Sequence, residues 1–319
     1  MKATKKTAVK KTAMKFEHTS VLLHEAVDSL AIKPGGVYVD GTAGGGGHTA
    51  AILQQLGESG TLVAVDRDPD ALSILGKRFA ANQNVIIINN NFSHIKNILS
   101  DIGISKADGI LLDIGVSSHQ LDTAERGFSY HFDAPLDMRM AQQGTSAKEI
   151  VNSYGEQELA AVIFRYGEEK YARSIAKNIV KARSEKPIET TFELVDIIKA
   201  SMPESAKRGA HPARKTFQAL RIEVNAELDA LEQALDSALD CLNTGGVISV
   251  ITFHSLEDRL VKTKMKEWAQ GCTCPKDFPV CVCGKTPRAR VRKAVAPTQR
   301  EVEENNRSRS ARLRSAVKL

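Results

Sequence analysis

No stretch of this sequence approaches the ~18 uninterrupted apolar residues that a membrane-spanning helix needs. Its basic start lacks an apolar segment and a small-residue cleavage site, so no secretory signal is expected and a cytoplasmic location is. Five cysteines in 319 residues are too few for a disulfide scaffold, and 22 glycines with 10 prolines fall far short of a collagen-like chain. Acids are missing from the first fifteen residues, which hold six lysines. What is present is a globular composition, 42% apolar and 26% charged, with length for roughly two domains and a large core.

Charge is unevenly spread. Residues 285–319 carry eleven Lys or Arg against three Glu, while residues 16–284 carry 27 basic and 35 acidic side chains. Basic ends on an acidic body suggest phosphate contact by flexible segments, with improved solubility as the plainer reading. Residues 1–15 are low in complexity and expected to be a disordered basic arm.

From residue 36 onward strand and helix signals alternate. Residues 36–40, 61–66, 85–88 and 109–114 read as strands, and the intervening segments as helices, the second opening at Pro69. This spacing predicts an α/β fold, a parallel sheet covered on both faces. Between residues 121 and 242 the periodicity turns helical, at 156–165, 171–183, 192–201 and 217–242, and strand character returns at 246–252. The expected organisation is an α/β domain built from 16–120 and 243–319, interrupted by a helical insertion at 121–242.

The segment Asp40-Gly41-Thr42-Ala43-Gly44-Gly45-Gly46-Gly47-His48 joins a strand to a helix. Glycines there let the backbone approach a ligand closely at a helix N-terminus. Asp66 closes the next strand, where a carboxylate can accept two ribose hydroxyls. The spacing is not G-x-G-x-x-G, and the Gly-Lys-Ser/Thr of a phosphate-binding loop is absent. An acid at position 40 suits a cationic, amino-acid-bearing cofactor such as S-adenosylmethionine better than a pyrophosphate. Asp113 ends the fourth strand, before Ser117 and Ser118, where α/β enzymes place their chemistry.

Several motifs together resemble one family. They include HTSVLL from His18, the DGTAGGGGH loop, Asp66-Arg67-Asp68-Pro69, DIGVSS, Arg126-Gly127-Phe128-Ser129, PLDMRM from Pro135, Tyr166-Gly167-Glu168-Glu169, FQALRI from Phe217, FHSLEDR from Phe253 and the RSARLR ending. Over residues 16–315 the chain resembles the methyltransferases that modify N4 of the cytosine at position 1402 of 16S rRNA. The resemblance implies a Rossmann-like S-adenosylmethionine domain with a helical substrate-recognition insertion. It implies cofactor contacts at Gly46, Gly47, His48, Asp66, Phe92, Asp113 and Gln120, and a substrate in the small (30S) ribosomal subunit. It leaves the oligomeric state open, a homodimer included. His119 stands where many members have proline, which is expected to loosen that loop.

Cytosine's amine is a weak nucleophile and needs acceptors that favour a pyramidal nitrogen in line with the methyl group. Asp113, Ser117 and Ser118 are the candidates, although Asp113 is equally a candidate for the cofactor adenine. Carbon-5 methylation needs a thiolate, and Cys241 reads as packing. Arg126, Phe128, Arg139, Arg221, His254 and Arg259 are candidates for RNA contact, by phosphate pairing or base stacking, each with an ordinary packing, capping or ion-pair role as the alternative. Cys272, Cys274, Cys281 and Cys283 can close a structural zinc site, the other readings being free thiols or redox behaviour. An RNA-binding assembly protein without turnover and a small-molecule methyltransferase are the competing functions.

Overall fold

The computed structural model describes residues 20–275, 280 and 282–319. The expected arm 1–15 and the His18-Thr19 start of the first motif lie outside them. Helix α1 (Leu23–Ser29) leads into an alternation of β1 (Val37–Asp40), α2 (Gly47–Leu56), β2 (Thr61–Asp66), α3 (Pro69–Arg78), β3 (Val85–Asn89), α4 (Ile95–Asp101) and β4 (Ala107–Asp113). Then come the short α5 (Ser118–Asp122) and a helical run, α6 (Ala147–Ser153), α7 (Glu156–Gly167), α8 (Ala172–Glu185), α9 (Thr191–Ala200), α10 (Arg214–Asn225) and α11 (Glu227–Cys241). The sheet resumes with β5 (Leu242–Thr252), followed by α12 (Ser255–Ala269), β6 (Ala289–Val291), α13 (Gln299–Glu304) and β7 (Arg312–Lys318).

The strands form one sheet in the order β3-β2-β1-β4-β5-β7-β6. Pairings from β3 across to β5 are parallel, and β7 runs antiparallel between β5 and β6. Chain order reverses between β1 and β4, so the connections leaving their carboxyl ends diverge and open a crevice there. Val63, Ile110, Leu112 and Ile248 are fully buried on one side of this sheet, as expected for strands covered by helices.

The helical run has its own core, in which Leu136, Met138, Ile150, Leu159, Ile175, Leu194 and Leu220 pack together. Polar starts set its helices: Ser146 with Glu149, and Thr190 with Glu193, form reciprocal capping boxes. Two expectations are corrected. The continuous helix at 217–242 is two helices, broken at Ala226, which sits in the left-handed region at φ 46°. And α11 does not belong to the insertion's core: Leu231, Ala234, Leu235 and Leu239 pack with the sheet. The helical core therefore ends at α10.

Gly109 shows how tightly β1 and β4 fit. A Cβ there would lie 2.6 Å from the ring of Tyr38, which is 1% exposed, and 3.3 Å from Leu30. Gly109→Ala is expected to cost about 1–3 kcal/mol by overpacking. A lower urea midpoint at unchanged slope would show it, and an unchanged midpoint would mean that the Tyr38 ring relaxes freely.

Candidate cofactor groove and active site

At the reversal point lies a groove of about 1750 Å³, lined by the glycine loop, the carboxyl ends of β2 and β4, the start of α5 and the near face of the insertion. Of the three strand-end acids, Asp66 and Asp113 line it and Asp40 lies buried beneath the loop, so they divide the work. Asp40 is fully buried and accepts the Thr49 hydroxyl at 2.7 Å and the Thr42 N–H at 3.3 Å. Burial pushes its carboxyl up to about 6 against those two bonds. Its partners show an anchor between β1, the loop and α2.

Asp66 holds the loop from the other side, accepting Gly44 N–H at 2.7 Å and Asp68 N–H at 2.8 Å, one on each oxygen. Each oxygen keeps a second lone pair for a ribose hydroxyl. Burial raises its pKa ahead of these bonds. Gly44 is in the left-handed region at φ 51°, and a Cβ on Gly45 would meet nothing within 4 Å. That backbone faces open groove, which suits a closely seated ligand. The two glycines after it do something else: a Cβ on Gly46 would meet Phe79 at 2.8 Å, and one on Gly47 would collide with Ser20 at 1.9 Å. Gly47 borders the groove, whereas Gly46 does not line it. At this part of the loop it is Gly44 and Gly45 that line the groove. Phe92, half-buried in the turn after β3, adds an apolar ring to the lining.

Asp113 is recessed, with 23% of its side chain exposed, and its N–H is held by the Thr42 hydroxyl at 2.6 Å. Its Oδ2 lies 3.5 Å from Nδ1 of the buried His48. Its Oδ1 and the His48 Nε2 are buried without a hydrogen-bond partner. Unsatisfied buried polar atoms cost about 1–3 kcal/mol each, so two of them side by side on a groove wall fit a bound group that completes them. Burial pushes Asp113 up to about 6, with His48 pulling it down.

The far wall is a buried ionic clamp. Asp68 caps α3, receives the Gln120 amide at 2.7 Å and pairs with Arg126 at 3.0 Å. Arg126 also reaches Asp70 at 2.7 Å and the carbonyls of Arg139 and Met140 at 2.9 and 3.0 Å. Gln120 borders the groove, but its amide is occupied by Asp68 and by a capping box with Ser117. The Ser117 hydroxyl is thus the cap of α5, which leaves Ser118 as the serine free of that duty. His119 lies on α5 with its Nε2 3.5 Å from Asp70.

Most of the residues expected to touch RNA are already engaged. Arg126 is the clamp, and Phe128 is 6% exposed in the insertion's core. Arg139 is paired with Asp137 at 2.6 Å and also donates to the Gly144 carbonyl. Arg221 makes two bonds to Glu227, at 2.8 and 2.9 Å. His254 caps α12, and both its ring nitrogens face Glu257, Nε2 lying 2.8 Å from Oε1 in poor hydrogen-bond geometry. Arg259 alone is exposed, at 65%, in a surface pair with Glu168 that leaves it available. Sequence reasoning missed Tyr130 and His211, which stack at 4.5 Å with an 11° tilt and line the groove, and also Arg214 and Arg309. Tyr130 and His211 are 81 positions apart, and no periodicity links them.

Cys272, Cys274 and Cys283 bring their sulfurs within 4.8 Å of one another between α12 and β6, while Cys281 lies outside the described residues. Cys241 closes α11 in the sheet core, at the amino end of β5 and away from the groove.

The sheet order, the open glycine loop and the carboxylate beyond β2 define a Rossmann-like α/β enzyme that binds a nucleoside-containing cofactor. The chain belongs to the MraW methylase family, which it matches over residues 15–319. It is accordingly an S-adenosylmethionine-dependent methyltransferase. It is 54% identical over 311 residues to the ribosomal RNA small subunit methyltransferase H of Symbiobacterium thermophilum, covering 96% of this chain and 98% of that one. The proteins of the same name from Clostridium botulinum and Brevibacillus brevis are 52% and 51% identical, covering 96% and 97% of this chain and all of theirs.

Because Asp113 binds its proton more tightly when folded (about 6 against an ordinary 3.8), its ionised form weakens the fold above pH 6. Asp113→Asn should therefore stabilise the protein at pH 8, by at most about 3 kcal/mol. That gain should shrink as pH falls through 6 toward 4. Urea unfolding at pH 8 and 4.5 checks it, and a gain that ignores pH would contradict the assignment.

Proposed function

We propose that the protein transfers the methyl group of S-adenosylmethionine to the exocyclic N4 of the cytosine at position 1402 of 16S rRNA, within the small (30S) ribosomal subunit in the cytoplasm. The observation that carries the reading is the buried, unpartnered Oδ1 of Asp113, a residue that lines the groove together with the open Gly44–Gly45 backbone. When bound, the cofactor supplies an electrophilic methyl group. Gly44, Gly45, Asp66 and Phe92 are assigned to hold it, with Gly47 and Gln120 at its border and His48 beside Asp113.

Asp113 has a task that the chemistry of an amine requires. An ionised Oδ1 accepts one N4 hydrogen, localises the nitrogen lone pair and fixes its direction toward the methyl carbon. Ser118 lies on the same turn and lines the groove as the second acceptor, and Ser117 acts through the cap. The proton leaves after the transfer, so no strong base is needed. No cysteine among the described residues lines the groove, which supports nitrogen over carbon-5 as the methyl acceptor.

We also assign a structural zinc ion to the cysteine set expected from the sequence, Cys272, Cys274, Cys281 and Cys283, of which Cys272, Cys274 and Cys283 are among the described residues. Tetrahedral thiolate sites with ~2.3 Å bonds set their sulfurs about 3.8 Å apart, and Cys272 and Cys283 stand 3.7 Å apart. The N–H groups of Thr273 and Val282 donate to sulfurs of the set at 3.4 Å. Metal analysis of protein purified without added metal should find about one zinc per chain, lost on replacing the three cysteines with serine. A metal-free, fully folded protein would reject the assignment.

The decisive assay incubates subunits from a strain lacking this protein with labelled cofactor and maps the label by mass spectrometry. Label at N4 of position 1402 is expected, with turnover falling below pH 6 as Asp113 takes up its proton. Asp113→Ala should lower kcat by about 10²–10³-fold and leave cofactor affinity within a few fold. A weakened cofactor Kd at normal kcat would move Asp113 to the adenine instead.

A further inference from the structure

A second cleft, of about 560 Å³, opens from the groove and separates the insertion from the α/β body. Ala210, His211, Arg214, Gln218, His254 and Ser310 line both spaces, so the two are continuous. Five cationic side chains border the cleft: Lys170, Arg208, Arg214, Lys215 and Arg312, all exposed. They come from the α7–α8 turn, the segment before α10, α10 itself and the start of β7, so four separate chain segments converge on one concavity.

Acids border it too, but their charge is spent elsewhere. Glu168 bonds Ser255 and Arg259, and Asp258 is held by two bonds from Arg314. Glu169 is 5% exposed and accepts Tyr171 N–H. The guanidinium groups of Arg208 and Arg214 have no hydrogen-bond or ion-pair partner among the described residues. Lys170 rests on the Tyr171 ring, 4.9 Å from its centre, with its ammonium free of acids. The first residues of α8, α10 and α12 lie at or beside the rim, and their positive ends add to the same field. A net positive concavity among compensated acids is built for an anion.

Resting on the proposed function, we infer that this cleft binds the sugar–phosphate backbone of single-stranded RNA flanking the target cytosine, through Lys170, Arg208 and Arg214. The target base must leave its stack to reach Asp113. The backbone it hangs from then lies where groove and cleft join, beside the Tyr130–His211 stack and Arg214. Arg214 borders both spaces and holds the phosphate next to the flipped base, while Arg208 and Lys170 take phosphates further along.

The test compares the wild type with Lys170→Gln/Arg208→Gln/Arg214→Gln and with a control, Lys186→Gln, which removes an exposed charge at the end of α8. Two readouts are used: KM for small subunits in the methyl-transfer assay, and affinity for a fluorescent single-stranded RNA oligonucleotide across salt concentrations. The triple variant should raise KM and weaken oligonucleotide binding at least tenfold. It should lower the salt slope by about two, at roughly 0.7 for each phosphate no longer neutralised, with kcat and cofactor Kd within twofold of wild type. Unchanged affinity and slope, an equal shift in the control, or a loss confined to kcat or cofactor binding would overturn the inference. A wild type that bound the oligonucleotide through these residues yet methylated no subunit would sink the proposed function and leave the RNA cleft standing.

Discussion

One guanidinium holds the two halves of this molecule at a fixed separation. Arg126 is 10% exposed and touches Asp68 and Asp70 on the α/β side and the carbonyls of Arg139 and Met140 on the other. Both its terminal nitrogens are met by these groups, while its Nε has no partner, and breaking a buried ionic set costs about 3–5 kcal/mol. Asp68 in turn fixes Gln120, Gln120 fixes Ser117, and Ser117 starts the helix beyond Asp113. The wall of the groove is thus a chain of obligations that runs from one buried cation to the turn that follows Asp113.

The opposite wall follows the same logic with the backbone in place of side chains. Asp40 and Asp66 tie down the glycine loop through Thr49, Thr42, Gly44 and Asp68, so the residues left facing open space are the ones without side chains. A cofactor meets a surface already shaped, and little ordering entropy remains to oppose its binding. The cost is borne by two carboxyls, Asp40 and Asp66, kept in a medium that disfavours their charge.

Much of this is legible in the residues. The five parallel strands, the acids that end three of them and the helical interruption all follow from period and composition, because each is a local signal. The antiparallel β7 does not read as a strand: RLRSAVK is short and strongly basic, and its pairing with β5 and β6 is decided by tertiary packing. Ala226 is unreadable because nothing in an alanine announces left-handed backbone. The partners of the RNA candidates are hidden for a related reason. Arg126, Arg139 and Arg221 have the right chemistry for phosphate, but their carboxylate partners (Asp68, Asp137 and Glu227) are chosen by the fold. Nothing in the sequence singles out Arg208 and Arg214, because what distinguishes them is the absence of such partners, which only three dimensions reveal.

The single left-handed residue between α10 and α11 has a mechanical meaning. Ala226 is the whole connection between a helix rooted in the insertion and one pressed against the sheet. A joint of one residue, already in an uncommon conformation, has no slack to pay out. The angle at which α10 leaves the sheet-bound α11, and with it one face of the groove, is therefore written into the two dihedrals of a single residue.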